Sequence, residues 1–331
     1  PFPALSFHFL YKILSGSFFA MEHTETALKE YRLPEKDTFS PVTTGFQLQW
    51  QHEHGRLYQG NSIDWLASLP SRSVDMVFAD PPYNIKKAEW DNFESQEKYI
   101  EWSMLWIKQA ARVLKDSGSL YIFGFSEILA DLKHPASKYF DSCRWLVWHY
   151  KNKANLGNDW GRSHESTIHL RKKSHKINVD DVRIPYGMHT LKYPSHPQAI
   201  TSAYGKSAQN KSRDNWVPNP KGAKPKDVFD IPTTCNGMGE STPHPTQKPE
   251  ELLRKFILAS SQEGALVVDP FSGSGTTLVV AEQLNRLWLG CDLDVTYNEW
   301  AIKRIKNVRK MTKEQWIAFD RKNAERRESI R

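Results

Sequence analysis

The sequence predicts an α/β protein whose sheet is covered by helices on both faces. Three observations carry this. The runs Val74–Ala79, Ser119–Phe123, Ala265–Val268 and Leu287–Cys291 are short and mostly apolar, as strands buried on both faces are. Stretches with helical spacing separate them, the pattern of a sheet with crossover helices. Two of the runs end in polar, turn-forming residues, Asp80-Pro81-Pro82-Tyr83-Asn84 and Asp269-Pro270-Phe271-Ser272-Gly273-Ser274-Gly275. Strand ends of that kind deliver polar atoms to a pocket.

The elements follow in order. Arg56 to Gly60 reads as a strand before Asn61, and Ile63, Leu66 and Leu69 then take helical spacing. After Val74–Ala79 comes a helix over Gln96 to Leu114, because Tyr99, Trp102, Trp106, Ala110, Val113 and Leu114 recur at threes and fours. Asp116-Ser117-Gly118 stops it. Strand Ser119–Phe123 is followed by Trp145, Val147 and His149, which alternate, with Glu165 to Leu170 as their partner. Beyond the middle segment, Pro249 opens a helix with Leu252, Leu253, Phe256 and Ile257 on one face. Strand Ala265–Val268, helix Thr276 to Leu284, strand Leu287–Cys291 and helix Val295 to Lys310 complete the pattern. The tail from Met311 is charged, with no core pattern beyond Trp316 and Phe319.

Composition narrows the function. The chain has 331 residues, 39% of them hydrophobic, enough for a large core and too apolar for a disordered chain. Cys143, Cys235 and Cys291 form no CxxC pair, which argues against a disulfide framework and a thiolate metal site, so no metal is expected. No Pro-Cys dipeptide suggests a thiolate nucleophile. Pro1 to Ala20 is apolar and aromatic, but Lys12 breaks it and no basic start precedes it. It reads as an upstream extension with Met21 as the start. Nothing else approaches a transmembrane length.

The net charge of +7 is concentrated in one place. Arg171 to Lys226 holds twelve Lys or Arg against three Asp and no Glu, a net +9, which leaves the remainder at −2. Six prolines break any long helix there. Tyr186, His189, Tyr193, His196, Tyr204 and Trp216 are interleaved. Cations for phosphates with aromatics for bases point to nucleic acid.

The glycine turn Phe271-Ser272-Gly273-Ser274-Gly275 lies between strand and helix, where residues without a Cβ allow a tight turn and close ligand approach. Asp292 follows the next strand, at a distance suited to ribose hydroxyls. The turn lacks the third glycine of a dinucleotide fold and the GK[ST] end of a P-loop. Hydride and phosphoryl transfer are therefore disfavoured. A nucleoside ligand without a pyrophosphate fits, and S-adenosylmethionine is one.

Asp80-Pro81-Pro82-Tyr83 reads as machinery for an exocyclic amine. Such a nitrogen is a poor nucleophile because its lone pair is delocalised into the ring. The Asp80 carboxylate and the Pro81 carbonyl can accept its two N–H bonds and free that lone pair, the prolines stiffening the turn. Tyr83 can stack on the ring. The base must first leave the duplex.

On these residues and on His244-Pro245-Thr246-Gln247-Lys248-Pro249, the chain resembles the beta-class DNA amino-methyltransferases, which modify adenine N6 or cytosine N4. The resemblance runs from about Arg56 to Lys310, in the beta order of catalytic motif, target-recognition region and cofactor motifs. It implies a Rossmann-like methyltransferase fold, a seven-stranded mixed sheet with one antiparallel edge strand and helices on both faces, plus a basic target-recognition insert. The division implied is an extension at 1–20, an N-terminal arm at 21–55, a catalytic half at 56–170, target recognition at 171–236, a cofactor-binding half at 237–310 and a charged tail at 311–331. Asp80, Pro81, Pro82 and Tyr83 would hold the base. Gly273, Gly275, Phe271, Ser272, Thr276, Asp269 and Asp292 would hold S-adenosyl-L-methionine, with Asp80 beside the donor. Thr246 and Lys248 would bind its carboxylate, and His244 would shape the pocket. Related chains often carry Gly-Asp where Gly60-Asn61 stands; the Asn61 oxygen would meet the adenine amine of the cofactor. Glu165 stands where related chains often have a Glu, with no role assigned.

Asp-Pro-Pro-Tyr leans toward adenine and Ser-Pro-Pro-Tyr toward cytosine, so the expected activity is N6-adenine methylation of double-stranded DNA, with N4-cytosine methylation as the alternative. RNA or protein-glutamine methylation is a rival, since such enzymes use related motifs with Asn before the prolines. A DNA-binding protein without catalysis is a further one. Expected partners are double-stranded DNA, a cognate restriction endonuclease and a second copy in a homodimer, in the bacterial cytoplasm or nucleoid.

Overall fold

The computed structural model describes residues 45–85, 91–151, 158, 160–193, 217–234 and 239–329. The expectations for residues 1–44, for 194–216 and for Cys235 lie outside the described residues.

The strands are β1 (Phe46–His52), β2 (Gly55–Gly60), β3 (Val74–Ala79), β4 (Leu114–Gly124), β5 (Ser142–His149), β6 (His164–Arg171), β7 (Val228–Asp230), β8 (Leu266–Asp269) and β9 (Leu287–Asp292). The helices are α1 (Ser62–Ser68), α2 (Gln96–Val113), α3 (Ser126–Ala136), α4 (Met188–Lys192), α5 (Glu250–Ser260), α6 (Thr276–Gln283), α7 (Val295–Lys306) and α8 (Lys313–Ser329). One mixed sheet runs β1-β2-β9-β8-β3-β4-β6-β5-β7.

The class is as expected, an α/β sheet, but it has nine strands rather than seven. The two additions cap its edges. At one end β1 forms a hairpin with β2, His52 opposite Gly55. At the other, the three residues of β7 pair with β5, too short a run for any pattern to betray. The antiparallel strand is also placed differently. Among the seven expected strands it is β6, which lies between β4 and β5 rather than at an edge.

Alternation along the strands explains the layers. Val77 and Ala79 of β3 face one core with Trp65 and Leu66 of α1, Trp106 and Ile107 of α2 and Leu129 of α3. Met76 and Phe78 face the other, with Phe256 of α5, Leu278 of α6, Ala301 of α7 and Trp316 of α8. Helices from the first half of the chain thus cover one face and those from the second half the other. The expected stop at Asp116-Ser117-Gly118 is a bulge. Strand β4 begins directly at Leu114, and its register to β3 jumps from Val74 opposite Leu114 to Met76 opposite Ser119.

Helix α7 ends at Lys306, short of the expected Lys310, and the charged tail folds as α8. Its buried Trp316 and Asp320 reach α5: the Asp320 carboxylate takes the Arg254 guanidinium at 2.8 Å, and that guanidinium lies 4.5 Å from the Trp316 ring centroid. Among the described residues, no helix is long and apolar enough to cross a membrane.

The fold positions a site in one way. From β3 the chain crosses through α2 to β4; from β8 it crosses through α6 to β9, on the opposite face. The two paths diverge between β8 and β3, and a crevice at such a switch point, outside the carboxyl ends of the strands, is where open α/β sheets bind ligands.

Candidate active site

Met76 lies opposite Val267 and Val77 opposite Val268, so the two motifs leave β3 and β8 side by side. A cavity of about 500 Å³ opens between them. Asp80, Pro81, Pro82 and Tyr83 line one side. Asn61, Asp269, Phe271, Ser272, Gly273, Thr276 and Asp292 line the other, and His244, Thr246 and Lys248 close it.

The loop after β3 is held by a residue that no motif identified. The buried Asp91 carboxylate accepts from the Tyr83 N–H at 2.6 Å, the Asn84 N–H at 2.6 Å and the Ile85 N–H at 3.2 Å. Asn84 takes a left-handed φ of 57° and its side-chain oxygen accepts from the Phe93 N–H. This cage fixes where Pro81 and Tyr83 point. Its only sequence signal is an acid eleven residues past Asp80, which no periodicity marks.

Inside the loop, the Tyr83 hydroxyl donates to Asp80 Oδ1 at 2.6 Å, and its ring packs edge-on against Phe125 at 5.0 Å. Burial, with the Asp80 carboxylate alongside, raises the Tyr83 phenol well above its ordinary pKa. The other oxygen, Asp80 Oδ2, accepts from Lys248 Nζ at 2.6 Å. Lys248 thus joins the Asp80 motif to the loop that holds His244 and Thr246. Burial opposes its charge, but the Asp80 and Glu165 carboxylates outweigh that and hold its pKa above the lysine value.

The cofactor half is built by short loops. Asp292 Oδ2 accepts from the Gly273 N–H at 2.7 Å and Oδ1 from the Asp294 N–H at 3.0 Å, which fixes the glycine turn against the end of β9. Burial pushes the Asp292 carboxyl up to about 6 and the Asp269 carboxyl up to about 7. The Ser272 hydroxyl is buried with no hydrogen-bond partner among the described residues. Gly273 has φ of 50°, and a Cβ there would stand 2.9 Å from His244 Nε2. The Thr246 N–H donates to His244 Nδ1, so that loop is shaped by its own histidine. Arg304 donates to the Thr276 hydroxyl and to the Ser274 carbonyl, both at 2.9 Å, tying the turn to α7.

Two further expected site residues have structural contacts of their own. Gly275 does not line the cavity. It sits at φ of 78°, and a Cβ there would meet the Ala301 Cβ at 2.5 Å, so its glycine serves the packing of α6 against α7. Asn61 does line the cavity, but its side-chain oxygen already caps α1, accepting from the Ile63 N–H at 2.9 Å and the Asp64 N–H at 3.2 Å. One cluster with metal-ligand chemistry, His52, His54 and Glu282, occurs among the described residues at the opposite end of the sheet, where Lys310 and the Trp288 indole already occupy the Glu282 carboxylate.

Comparison with known proteins gives this site its class. A family model described as DNA methylase, of the N6/N4 methyltransferases, matches residues 74–304. The chain is 31% identical over 254 residues to the Type II methyltransferase M1.MboII of Moraxella bovis, covering 74% of this chain and 94% of that one. It is 33% identical to the Type II methyltransferase M.HpaI of Haemophilus parainfluenzae, over 76% of this chain and 74% of that one. The DNA adenine methyltransferase YhdJ of Escherichia coli K12 is 30% identical, over 77% and 83%. The fold matches that of the PvuII DNA methyltransferase (cytosine-N4-specific) at a TM-score of 0.58 and 19% identity, over 81% of this chain and 91% of that one. The chain belongs to the N6/N4 DNA methylase family. It is a DNA amino-methyltransferase, of a family whose methyl donor is S-adenosyl-L-methionine.

The residues present suit that donor. It is a cation at its sulfonium and amino group and carries ribose hydroxyls. The cavity offers the buried Asp269 and the half-buried Asp292, whose carboxyls desolvation holds toward the neutral form, and a Ser272 hydroxyl without a partner among the described residues.

Proposed function

We propose that this chain methylates the exocyclic N6 amine of adenine in double-stranded DNA, on a base extruded from the helix. The observation that carries the reading is the lining of one cavity by both Asp80-Pro81-Pro82-Tyr83 and the Gly273 turn with Asp292. When bound, the donor supplies an electrophilic methyl group on a positively charged sulfur. The rest falls to the chain's own residues. Asp292 and Ser272 meet the ribose, and Asp269 faces the cationic end. Asp80 and the Pro81 carbonyl accept the two N–H bonds of the base amine, drawing the nitrogen toward tetrahedral geometry. The Tyr83 ring gives the base a flat partner. After transfer the nitrogen carries one proton too many, and Asp80 is the acceptor already bonded to it.

Asp rather than Ser at the head of the motif supports adenine, as does the name of the Escherichia coli relative. The basic segment 171–236 reads the target site, since its cations are gathered between the two halves of the motif set. A restriction endonuclease of the same specificity is the proposed companion, in line with relatives named Type II methyltransferases, and the setting is the bacterial cytoplasm or nucleoid.

The test is direct. Purified protein is incubated with labelled S-adenosyl-L-methionine and unmethylated DNA, and the DNA is digested to nucleosides for mass spectrometry. N6-methyladenine is expected. N4-methylcytosine instead would reassign the base, and label entering only RNA or protein would reject the reading.

A further inference from the structure

The Asp80 carboxylate has two partners of different kinds. Oδ1 takes the neutral hydroxyl of Tyr83 and Oδ2 takes the ammonium of Lys248, each at 2.6 Å. Lys248 Nζ also lies 3.5 Å from Glu165 Oε2. The side chains of Lys248, Glu165 and Asp80 are 6%, 12% and 16% exposed, so this is a buried cluster of one cation and two anions. Its members come from three separate elements: the tip of β3, the second residue of β6, and the loop that leads into α5.

Energetics separates the two oxygens. Withdrawing Lys248 from Oδ2 would leave a buried charge with a weaker partner, a strongly unfavourable change. Withdrawing the Tyr83 hydroxyl from Oδ1 exchanges one neutral hydrogen bond for another, which is close to balanced when a base amine takes its place. Oδ1 is therefore the address for the amine, and Oδ2 is the fixed hinge that aims it. We propose that Lys248 and Glu165 are positioning residues for Asp80: Glu165 anchors the ammonium, and the ammonium locks the carboxylate so that Oδ1 faces the incoming amine. The inference rests on the methyltransferase reading above and adds a function to Glu165. It also moves Lys248 from the donor's carboxylate to the base.

The test uses Lys248→Met, Lys248→Arg, Glu165→Gln and the double variant Lys248→Met/Glu165→Gln, in the full chain. Each is assayed for kcat and KM on DNA across pH 5 to 9, for S-adenosyl-L-methionine affinity by calorimetry, and for melting temperature across the same range. Lys248→Met is expected to lower kcat by about 100-fold, since it leaves two buried carboxylates facing each other. Its pH–rate profile should change shape relative to the parent, because two carboxylates have lost their shared cation. Lys248→Arg keeps the charge and should retain more activity than Lys248→Met. Glu165→Gln should cost activity when Lys248 is present and restore part of it when Lys248 is Met. That reversal of sign marks coupling through the ammonium; two independent structural losses would add instead. Donor affinity should stay within about threefold throughout, with any KM effect confined to DNA.

Two results would overturn the proposal. One is a donor affinity that falls tenfold or more in Lys248→Met while kcat holds, which would return Lys248 to the donor's carboxylate. The other is a Glu165→Gln variant with wild-type kcat and pH profile and no benefit in the double variant. Melting reads the cluster without substrate: Lys248→Met should lower the melting temperature, and the double variant should regain part of that loss. If the unaltered chain transfers no methyl group to DNA, the functional reading fails, and the melting profiles still decide whether the three residues act together.

Discussion

The hydroxyl of Tyr83 donates to Asp80 Oδ1 at 2.6 Å, so the first and last side chains of the Asp-Pro-Pro-Tyr turn are tied together. The same bond closes the four-residue turn and keeps the two side chains ordered at the mouth of the cavity. On the proposed reading, a base amine that reaches Oδ1 takes the place of this bond. Its cost is set by a neutral hydrogen bond that the amine replaces, and the turn itself stays held by Asp91 from behind.

Replacing Asp80 with Ala should lower transfer by about 100- to 1,000-fold, the effect of removing one preorganised partner aimed at the reacting group. Donor affinity should change little, because Asp80 lies across the cavity from Asp292 and Ser272. Single-turnover rates together with equilibrium donor binding check this. A variant that loses donor binding in proportion to activity would place Asp80 on the wrong side of the cavity.

The hydroxyl and the ring of Tyr83 should have separable worth. On the proposed reading Tyr83→Phe removes only a bond that the base amine replaces, and it should keep kcat within about threefold of the parent. Tyr83→Ala also removes a buried ring packed edge-on against Phe125, and it should cost stability by about 3 to 5 kcal/mol as well as activity. Thermal melts and steady-state assays on the pair distinguish the two; equal damage from both would mean that the hydroxyl itself takes part in the reaction.

Asp269 and Asp292 should make donor binding depend on pH. Burial holds their carboxyls up at about 7 and about 6. A folded pKa above the unfolded one means that their contribution to stability is fully present below the ordinary carboxylate range and is lost as pH rises through 6 and 7. A bound cation favours the ionised forms. Donor affinity should therefore rise between pH 5 and 8, with proton release on binding between pH 6 and 7. Calorimetry in two buffers of different ionisation enthalpy measures that release directly, and an affinity flat across the range would show that these acids do not face the donor.

How much of the fold and the site is legible in the sequence follows from where the information lies. Strands β3, β8 and β9 are buried on both faces, so the apolar run alone marks them and the motif at each tip locates the site. Strand β1 alternates Phe46, Leu48 and Trp50 with three glutamines on an edge, a half-polar run that reads equally well as a loop. Helix α8 is polar nearly all round and is held by Arg254–Asp320 and Arg327–Glu251 pairs whose partners are distant in the chain. Lys248 shows the same limit inside the site. Its place beside Thr246 suggests a shared ligand, but the direction of its side chain is set by Asp80 and Glu165, which only the sheet brings to it. Asp91 is visible only once the backbone N–H groups it receives have a place.

The basic segment should carry affinity without setting the chemistry. Lys173, Lys176, Lys192, Lys224 and Lys226 are all exposed. Changing the five to Gln should weaken DNA binding and lower the slope of log affinity against log salt by about 0.9 for each phosphate left without its lysine. Donor affinity should not move. Fluorescence anisotropy over a salt series checks both, and an unchanged slope would remove segment 171–236 from the DNA interface.

The two turn glycines should fail in different ways. At Gly275 the φ of 78° and the 2.5 Å approach to the Ala301 Cβ make any side chain a packing fault between α6 and α7. Gly275→Ala should therefore lower the melting temperature. Adding Ala301→Gly should recover part of the clash, less about 1 kcal/mol for a glycine inside α7, and leave about 1 to 2 kcal/mol for the left-handed backbone. At Gly273 the backbone is also left-handed, but the atom a Cβ would meet is the end of a side chain, His244 Nε2 at 2.9 Å. Gly273→Ala should push His244 toward the cavity and reduce donor affinity more than stability. Melting curves and donor titrations on the three variants read the difference; a Gly275→Ala protein that Ala301→Gly does nothing to repair would mean that backbone strain, not helix packing, is what that glycine relieves.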